Sequence, residues 1–403
     1  MSTGNTGGYN KKSVADVDVK GKKVLLRCDF NVPVDKKTGE ITDEGRIIAA
    51  LPTINYLLEQ GAAVIACSHF GRPKGEFKPE FSLAPVAKCL SKHLGKPVKM
   101  AADVIGPDAT ALAKELAPGE IMLIENTRFH AEEEKNDPAF AKKLADMADI
   151  FVSDAFGSVH RAHASTEGVS KYLPAVSGFL LKKELDNIGG AISAPKKPLV
   201  AILGGAKVSD KLGVINNLMK ISDTIIIGGG MAYTFFKAQG GSIGKSLCED
   251  SEFENVLKML EEAKAKGVKL LLPVDSLAAS EFSNEGEPLT VSSGAIPEGK
   301  MALDIGPEAI KAFTAEIAKA GTIVWNGPMG VFEFSKYAEG TRAVAIAVAN
   351  SSAVSVIGGG DSAAAVRLFG LEDKITHIST GGGASLEFME GKVLPGIACL
   401  LDA

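Results

Sequence analysis

The chain has 403 residues, of which 45% are hydrophobic and 23% charged, and its net charge is -5. That length fits about two to three domains, and the composition is globular, which excludes disorder, collagen and coiled coil. No overall basicity argues for nucleic acid, although a local basic patch can bind a small anion.

The segment Met1 to Ser13 is polar and Gly-rich with no apolar signal-peptide core, and about its first ten residues are expected to be disordered. Short apolar, β-branched runs follow in order. They are Lys23–Phe30, Ala62–Phe70, Glu120–Phe129 and Ile150–Phe156, then Leu199–Gly204, Thr224–Gly228 and Val268–Asp275, and finally Thr322–Asn326, Ala353–Ile357 and Ile375–Ser379. Such runs fit buried parallel strands. Helix-period segments lie between them. Ile47, Leu51, Ile54 and Leu58 line one face, and Phe253, Leu257 and Leu260 line another. Pro52 fits the first of these helices best in its opening turn. The uncharged stretch Ala343 to Gly360 is broken by Asn350, Ser351 and Ser352, and reads as helix, turn and strand rather than a membrane span. Strand–helix alternation over the whole length predicts an α/β fold with parallel sheets. A charged helical stretch through Lys182 and Asp186 runs into Gly189-Gly190 and Ala194-Pro195-Lys196-Lys197-Pro198, which divides the chain into halves of domain size.

The five cysteines, Cys28, Cys67, Cys89, Cys248 and Cys399, form no CxxC pair. Neither a zinc site nor a disulfide framework is signalled, and a reducing, cytoplasmic home is expected.

Ligands of open α/β sheets bind beyond the carboxyl ends of the strands. In the first half those ends carry Arg27-Cys28-Asp29-Phe30-Asn31, Ser68-His69-Phe70-Gly71-Arg72, Glu125-Asn126-Thr127-Arg128 and Asp154, then His160-Arg161-Ala162-His163. Arg46 stands where the first helix begins, on the same edge. Any one arginine reads equally as a surface residue paired with a carboxylate. Five on one rim read as a site for a small, multiply charged anion, with guanidinium forks holding phosphate and carboxylate. Asp29 and Asn31 would orient hydroxyls or the arginines. His160 and His163 have no third ligand at metal spacing, and His93 and His377 carry no assignment.

The second half ends its strands in glycine: Gly204-Gly205-Ala206-Lys207, Gly228-Gly229-Gly230, Asn326-Gly327-Pro328-Met329-Gly330, Gly358-Gly359-Gly360-Asp361-Ser362 and Gly381-Gly382-Gly383. Glycine lets backbone N–H groups approach phosphate closely, so five clusters in series point to nucleotide phosphates. Lys207 and Lys211 lie one helical turn apart, either on a solvated face or reaching the phosphate chain. Asp361 reads as a helix N-cap, as a carboxylate facing Mg²⁺ on the nucleotide, or as both. Glu333 is a candidate for ribose hydroxyls or a plain surface acid. Two motifs fail. Gly240 to Ser246 falls one residue short of a Walker A loop, and Gly358-x-Gly360-x-x-Ala363 lacks the acid that a dinucleotide fold needs after the next strand. The rim also has no GxSxG elbow and no Cys with an activating His. Phosphoryl transfer to an already ionised acceptor, such as a carboxylate, needs no general base and fits best.

Taken in order, these segments resemble phosphoglycerate kinases. Arg27-Cys28-Asp29-Phe30-Asn31-Val32-Pro33 looks like the family signature. Similar matches are Ser68 to Pro73, Glu125 to Phe129, Asp154 to Gly157, Gly204 to Val208, Trp325 to Pro328, Gly358 to Asp361 and Ser379 to Ser385. The resemblance runs from about Ser13 to the C-terminus. It implies two Rossmann-like three-layer α/β domains with parallel sheets, joined by a helical hinge. The first domain would span residues 1–187 completed by 393–403, and the second residues 188–392. It implies reversible transfer between ATP with 3-phosphoglycerate and ADP with 1,3-bisphosphoglycerate in glycolysis, with Mg²⁺ as cofactor. A monomer is implied, without nucleic acid or membrane partners.

By motif matching, Asp29, Asn31, Arg46, His69, Arg72, Arg128 and Arg161 would hold the phosphoglycerate. Arg46, Lys207, Gly359 and Gly382 would serve the transfer itself. Lys211 would hold nucleotide phosphates, Asp361 the metal–nucleotide, Glu333 the ribose and Asn326 the phosphate side. Gly204, Gly205, Gly228 and Gly229 would approach the adenine. Gly358, Gly359, Gly360 and Ser362 would frame the phosphates. Departures from the family pattern are small: Ser362 for Thr, Phe70 and Thr127 for aliphatic residues, and Ala302 for Gly near the expected adenine pocket. A non-catalytic two-domain anion-binding protein is the alternative from another class, and a nicotinamide-dependent dehydrogenase is a lesser one.

Overall fold

The structure is a computed structural model and describes residues 9–403; the terminus expected to be disordered lies mainly outside them. Contacts divide the chain into two compact units, Met1–Asp186 with Val393–Ala403, and Asn187–Lys392.

The first unit is built on six parallel strands: β1 (Lys23–Arg27), β2 (Ala63–Cys67), β3 (Val98–Met100), β4 (Ile121–Leu123), β5 (Ile150–Ser153) and β6 (Ala175–Ser177). Their order is β3-β4-β2-β1-β5-β6. Successive residues of a strand point to opposite faces. Val24 and Leu26 are fully buried on one face, and so is Leu25 on the other, so layers cover the sheet on both sides. The first face packs against helix α1 (Gly45–Glu59) and helix α2 (Ala84–Leu94) through Ile47, Ile54, Leu57, Val86 and Leu90. Pro52 sits in the middle of α1 rather than in its opening turn. Its neighbours Thr53 and Ile54 are buried, so packing holds a helix that loses one internal N–H donor there.

The second unit repeats the plan with β7 (Leu199–Leu203), β8 (Thr224–Ile227), β9 (Lys269–Leu271), β10 (Thr322–Asn326), β11 (Val354–Gly358) and β12 (His377–Ile378). All are parallel, in the order β9-β8-β7-β10-β11-β12. Trp325, Phe313 and Val344 are fully buried in its core. In the helix Phe253–Lys266 the buried stripe is Val256, Met259 and Ala263, while Leu257 is exposed. Of the expected face, Leu257 points to solvent, while Phe253 and Leu260 are partly buried. Apolar side chains occur on both sides of that helix, and contact with the sheet selects the other stripe. A three-stranded antiparallel sheet, Asp275–Ala279, Leu289–Ser292 and Met301–Ile305, is added to this unit. The unit boundary falls in the helical run that starts at Phe179 and continues through Leu185–Gly189 to Ser193. Among the described residues no helix is long and apolar enough to cross a membrane.

Candidate active site

Each sheet has one place where the strand order reverses, β1 against β5 and β7 against β10. The loops leaving such a pair diverge and open a crevice.

In the first unit, Arg46 at the start of α1 donates to Asp29 Oδ1 (3.0 Å) and to the Asn31 carbonyl (2.9 Å). Asn31 Oδ1 accepts from the Gly71 N–H (2.9 Å), and the Gly71 carbonyl accepts from Arg128 (2.9 Å). Loops after β1, β2 and β4 are thus tied together by the residues expected to hold the anion. Buried Asn126 sets the turn beneath Arg128: its Oδ1 accepts from the N–H groups of Phe70 and Arg128, and its amide donates to the carbonyls of Phe70 and Phe81. Arg128 is 5% exposed; its Nε makes no hydrogen bond but faces the Glu134 carboxylate at 3.6 Å.

His69 lies among these cations. Burial first, then Arg27, Arg128, Arg161 and Arg46, hold its pKa well below the ordinary value. Burial first, then Arg128, Arg27, Arg161 and His160, bring His163 down to about 4. Both rings are neutral near pH 7, so the rim's charge comes from its arginines. Arg27 donates to His69 Nδ1 (3.1 Å), so the neutral ring carries its proton on Nε2. Arg161 contacts His160 (3.2 Å), and Arg72 is exposed beside Gly71.

Arg27 departs from the expected rim. It is buried as the last residue of β1, donates to Ser165 Oγ (2.8 Å) and bonds the Cys28 carbonyl. Ser165 donates in turn to buried Glu133 (2.6 Å), whose pKa is raised by burial. The position of Arg27 in its strand turns the side chain inward, where it braces His69. Ser165 and Glu133 carry no motif, and sequence reasoning missed them.

In the second unit, two cavities of about 500 Å³ and 510 Å³ adjoin, sharing Gly205, Ala206, Pro328 and Asp361. The first is a polar trough lined by Gly204, Lys207, Lys211, Asn326, Gly359, Gly360, Asp361, Ser362 and Gly382. Lys211 Nζ bonds the Asn326 side chain, and burial lowers its pKa while Asp210, Asp361 and Glu390 oppose that. A Cβ on Gly360 or Gly382 would meet nothing within 4 Å, so protein packing does not require glycine there. A ligand approaching the backbone closely would. Asp361, in the first turn of the helix Gly360–Leu368, is exposed to both cavities.

The second cavity has apolar walls, including Leu247, Phe282, Met301 and Val331, with Glu333 at its side and Ala302 in its lining. Leu247 and Phe282 are 57% and 64% exposed, unusual for large apolar side chains unless something covers them. These two residues and Lys245 were not expected. They come from loops around the small sheet, and no local pattern marks them. Gly228 and Gly358 line neither cavity; a Cβ there would strike Met329 and Met389. Ser362 is fully buried, and its hydroxyl accepts from the Gly327 N–H (2.6 Å), so it holds the Asn326–Gly330 turn in shape.

Asp304, 2% exposed, also lines the apolar cavity. Burial pushes its pKa up to about 7, against the N–H groups of Gly340 and Ile305 that favour the carboxylate.

Residues 14–392 match the family model described as phosphoglycerate kinase. A phosphoglycerate kinase of Clostridium novyi (strain NT) is 58% identical over 396 residues, covering 98% of this chain and 99% of the relative. Among solved structures, phosphoglycerate kinase from Coxiella burnetii superposes with a TM-score of 0.91 at 45% identity, covering 96% of this chain and 98% of that one. The enzyme from Pyrococcus horikoshii OT3 gives 0.80 at 33% identity, with the same coverage of each.

Proposed function

Since this chain belongs to the phosphoglycerate kinase family and is a phosphotransferase with a carboxyl group as acceptor, we propose that its two crevices divide the substrates between them. The arginine rim of the first unit holds 3-phosphoglycerate. The trough and apolar cavity of the second hold ATP or ADP, the phosphates over Gly359, Gly360 and Gly382 and the base against Leu247 and Phe282. The two adjoining cavities carry this reading, because a charged glycine-lined trough continuous with an apolar recess matches the two ends of a nucleotide. The non-catalytic binding protein is not favoured.

In this reading Arg128, Arg161 and Arg72 anchor the phosphoglycerate, and His69 donates from Nε2. Asp29 holds the Arg46 guanidinium toward the transferring group. The acceptor carboxylate is already ionised, so its oxygen attacks phosphorus without a base. The new O–P bond forms as the bond to the departing ADP oxygen breaks, and no proton moves. Lys207 and Lys211 neutralise the charge on the equatorial and leaving oxygens. Transfer in line needs the ligands fixed in one geometry with water excluded, and hinge closure is the proposed means. Asp361 fits Mg²⁺, which takes one or two carboxylates plus phosphate oxygens. There the ion would draw negative charge from the nucleotide phosphates.

A steady-state assay with MgATP and 3-phosphoglycerate, coupled to NADH oxidation through an added dehydrogenase, tests this. NADH loss should depend on both substrates and fall by about 10²–10³ in Arg46→Ala and Lys207→Ala, with ground-state binding little changed. Turnover within a few fold of the parent would sink both assignments. The reading also includes a monomer, and a location in the cytoplasm that the five free cysteines support. A dimer mass in light scattering would refute the first part.

A further inference from the structure

We propose that Glu44, Cys89 and His93, side chains given no part in holding the substrates, form a binding site on the first unit for one borderline-soft divalent cation of the Zn²⁺ type. Glu44 occupies the position before α1 but makes no side-chain bond to its own helix. Its carboxylate turns instead to α2, where Oε2 lies 2.7 Å from His93 Nε2. Cys89 and His93 stand four residues apart on α2 and therefore share one face. One ligand atom from each of the three residues lies within 4.8 Å of the other two.

A tetrahedral ion with bonds of about 2.0–2.3 Å holds its donors roughly 3.3–3.8 Å apart, so modest side-chain rotation brings these three onto it. The donor set is informative in its chemistry. Thiolate, imidazole and carboxylate together suit zinc, whereas Mg²⁺ takes oxygen ligands. On loading, the S–H bond breaks, its proton leaves to solvent, and the sulfur pair binds the ion. Thiolate and carboxylate then balance the two positive charges. The side chains of Glu44 and His93 are 38% and 24% exposed, which leaves an entry path and room for water as fourth ligand. The sequence hides this site, because Cys89 and His93 make half a motif and Glu44 is remote in the chain.

The test uses the full chain, stripped with chelator and free of nucleotide, titrated with Co²⁺. One equivalent should produce a thiolate-to-cobalt charge-transfer band that excess Zn²⁺ removes, and Zn²⁺ should raise the melting temperature. Cys89→Ser should lose the band, while Cys248→Ser and Cys399→Ser keep it. His93→Gln serves as a second variant should Cys89→Ser prove misfolded by circular dichroism, and it should lose one-equivalent binding. No band in the parent, a band surviving Cys89→Ser, or unaltered binding in His93→Gln would overturn the proposal. A thiolate band also separates this site from Asp361, whose surroundings hold no cysteine.

Discussion

At the scale of single residues, buried charge decides most of what the two crevices can do. Asp304 shows how burial can outweigh hydrogen bonds: two backbone N–H groups favour its carboxylate, yet its pKa stands at about 7. An unfolded aspartate titrates near 3.9, so between about pH 4 and about pH 7 the native state holds a proton that the unfolded chain has lost. This group's contribution to stability therefore falls as pH rises through that window and stays low above it. Asp304→Asn removes the dependence. Its denaturation midpoint should gain on the parent's between about pH 5 and about pH 8, and an equal gap at both would refute the raised pKa. Arg128 offers a test of the rim. Arg128→Ala should weaken 3-phosphoglycerate binding by about 10- to 100-fold, as expected for hydrogen bonds to charged groups of ~1.5–3 kcal/mol. Nucleotide affinity, measured by calorimetry, should stay within about twofold. A comparable loss for nucleotide would mean that the two crevices do not divide the ligands. The rim was legible in the sequence because loops after strands gather at one edge. Arg27 was read with it, and the structure turns that side chain inward because it is still within the strand.

Among the elements, the glycine turns separate packing from binding. A Cβ on Gly204 would lie 2.0 Å from the Pro328 carbonyl oxygen, and one on Gly327, whose φ is +106°, would lie 2.1 Å from that of Gly204. These two turns, after β7 and β10, interlock backbone to backbone. Gly327→Ala should cost about 1–3 kcal/mol of stability in a denaturant titration. Gly360→Ala should instead leave stability nearly intact and lower nucleotide affinity. The reverse pattern would show that the Gly360 turn is structural and not a phosphate cradle. The strands of both sheets were readable because apolar β-branched runs ended in polar or glycine residues. Two edge strands escaped notice, β3 for an informative reason: Val98, Lys99 and Met100 are all only partly buried, so no apolar run marks them. The apolar recess escaped for a different reason, since Leu247 and Phe282 are brought to it by tertiary structure alone.

For the whole molecule, the path of the chain matters more than any single contact. The last eleven residues belong to the first unit. Leu394, Ile397 and Leu400 are buried there, Gly396 N–H donates to the Val159 carbonyl, Leu401 N–H donates to that of Ala175, and Lys11 pairs with Asp402. Each large buried aliphatic side chain is worth about 2–5 kcal/mol when truncated to alanine. A chain ending at Lys392 should therefore lose amide-exchange protection in β1, β5 and β6 while β7 and β10 keep theirs and nucleotide still binds. Unchanged protection in β5 and β6 would show that the returning segment is dispensable.

The same return sets an order of events during synthesis. The ribosome delivers the first unit's sheet early, but the strip of chain that completes it emerges only after the whole of the second unit. Domains usually fold as they appear, from the N-terminus onward. Here the half that is made first can be finished only after the second unit has been made, so the nascent chain carries an open seam until Val393–Ala403 emerges.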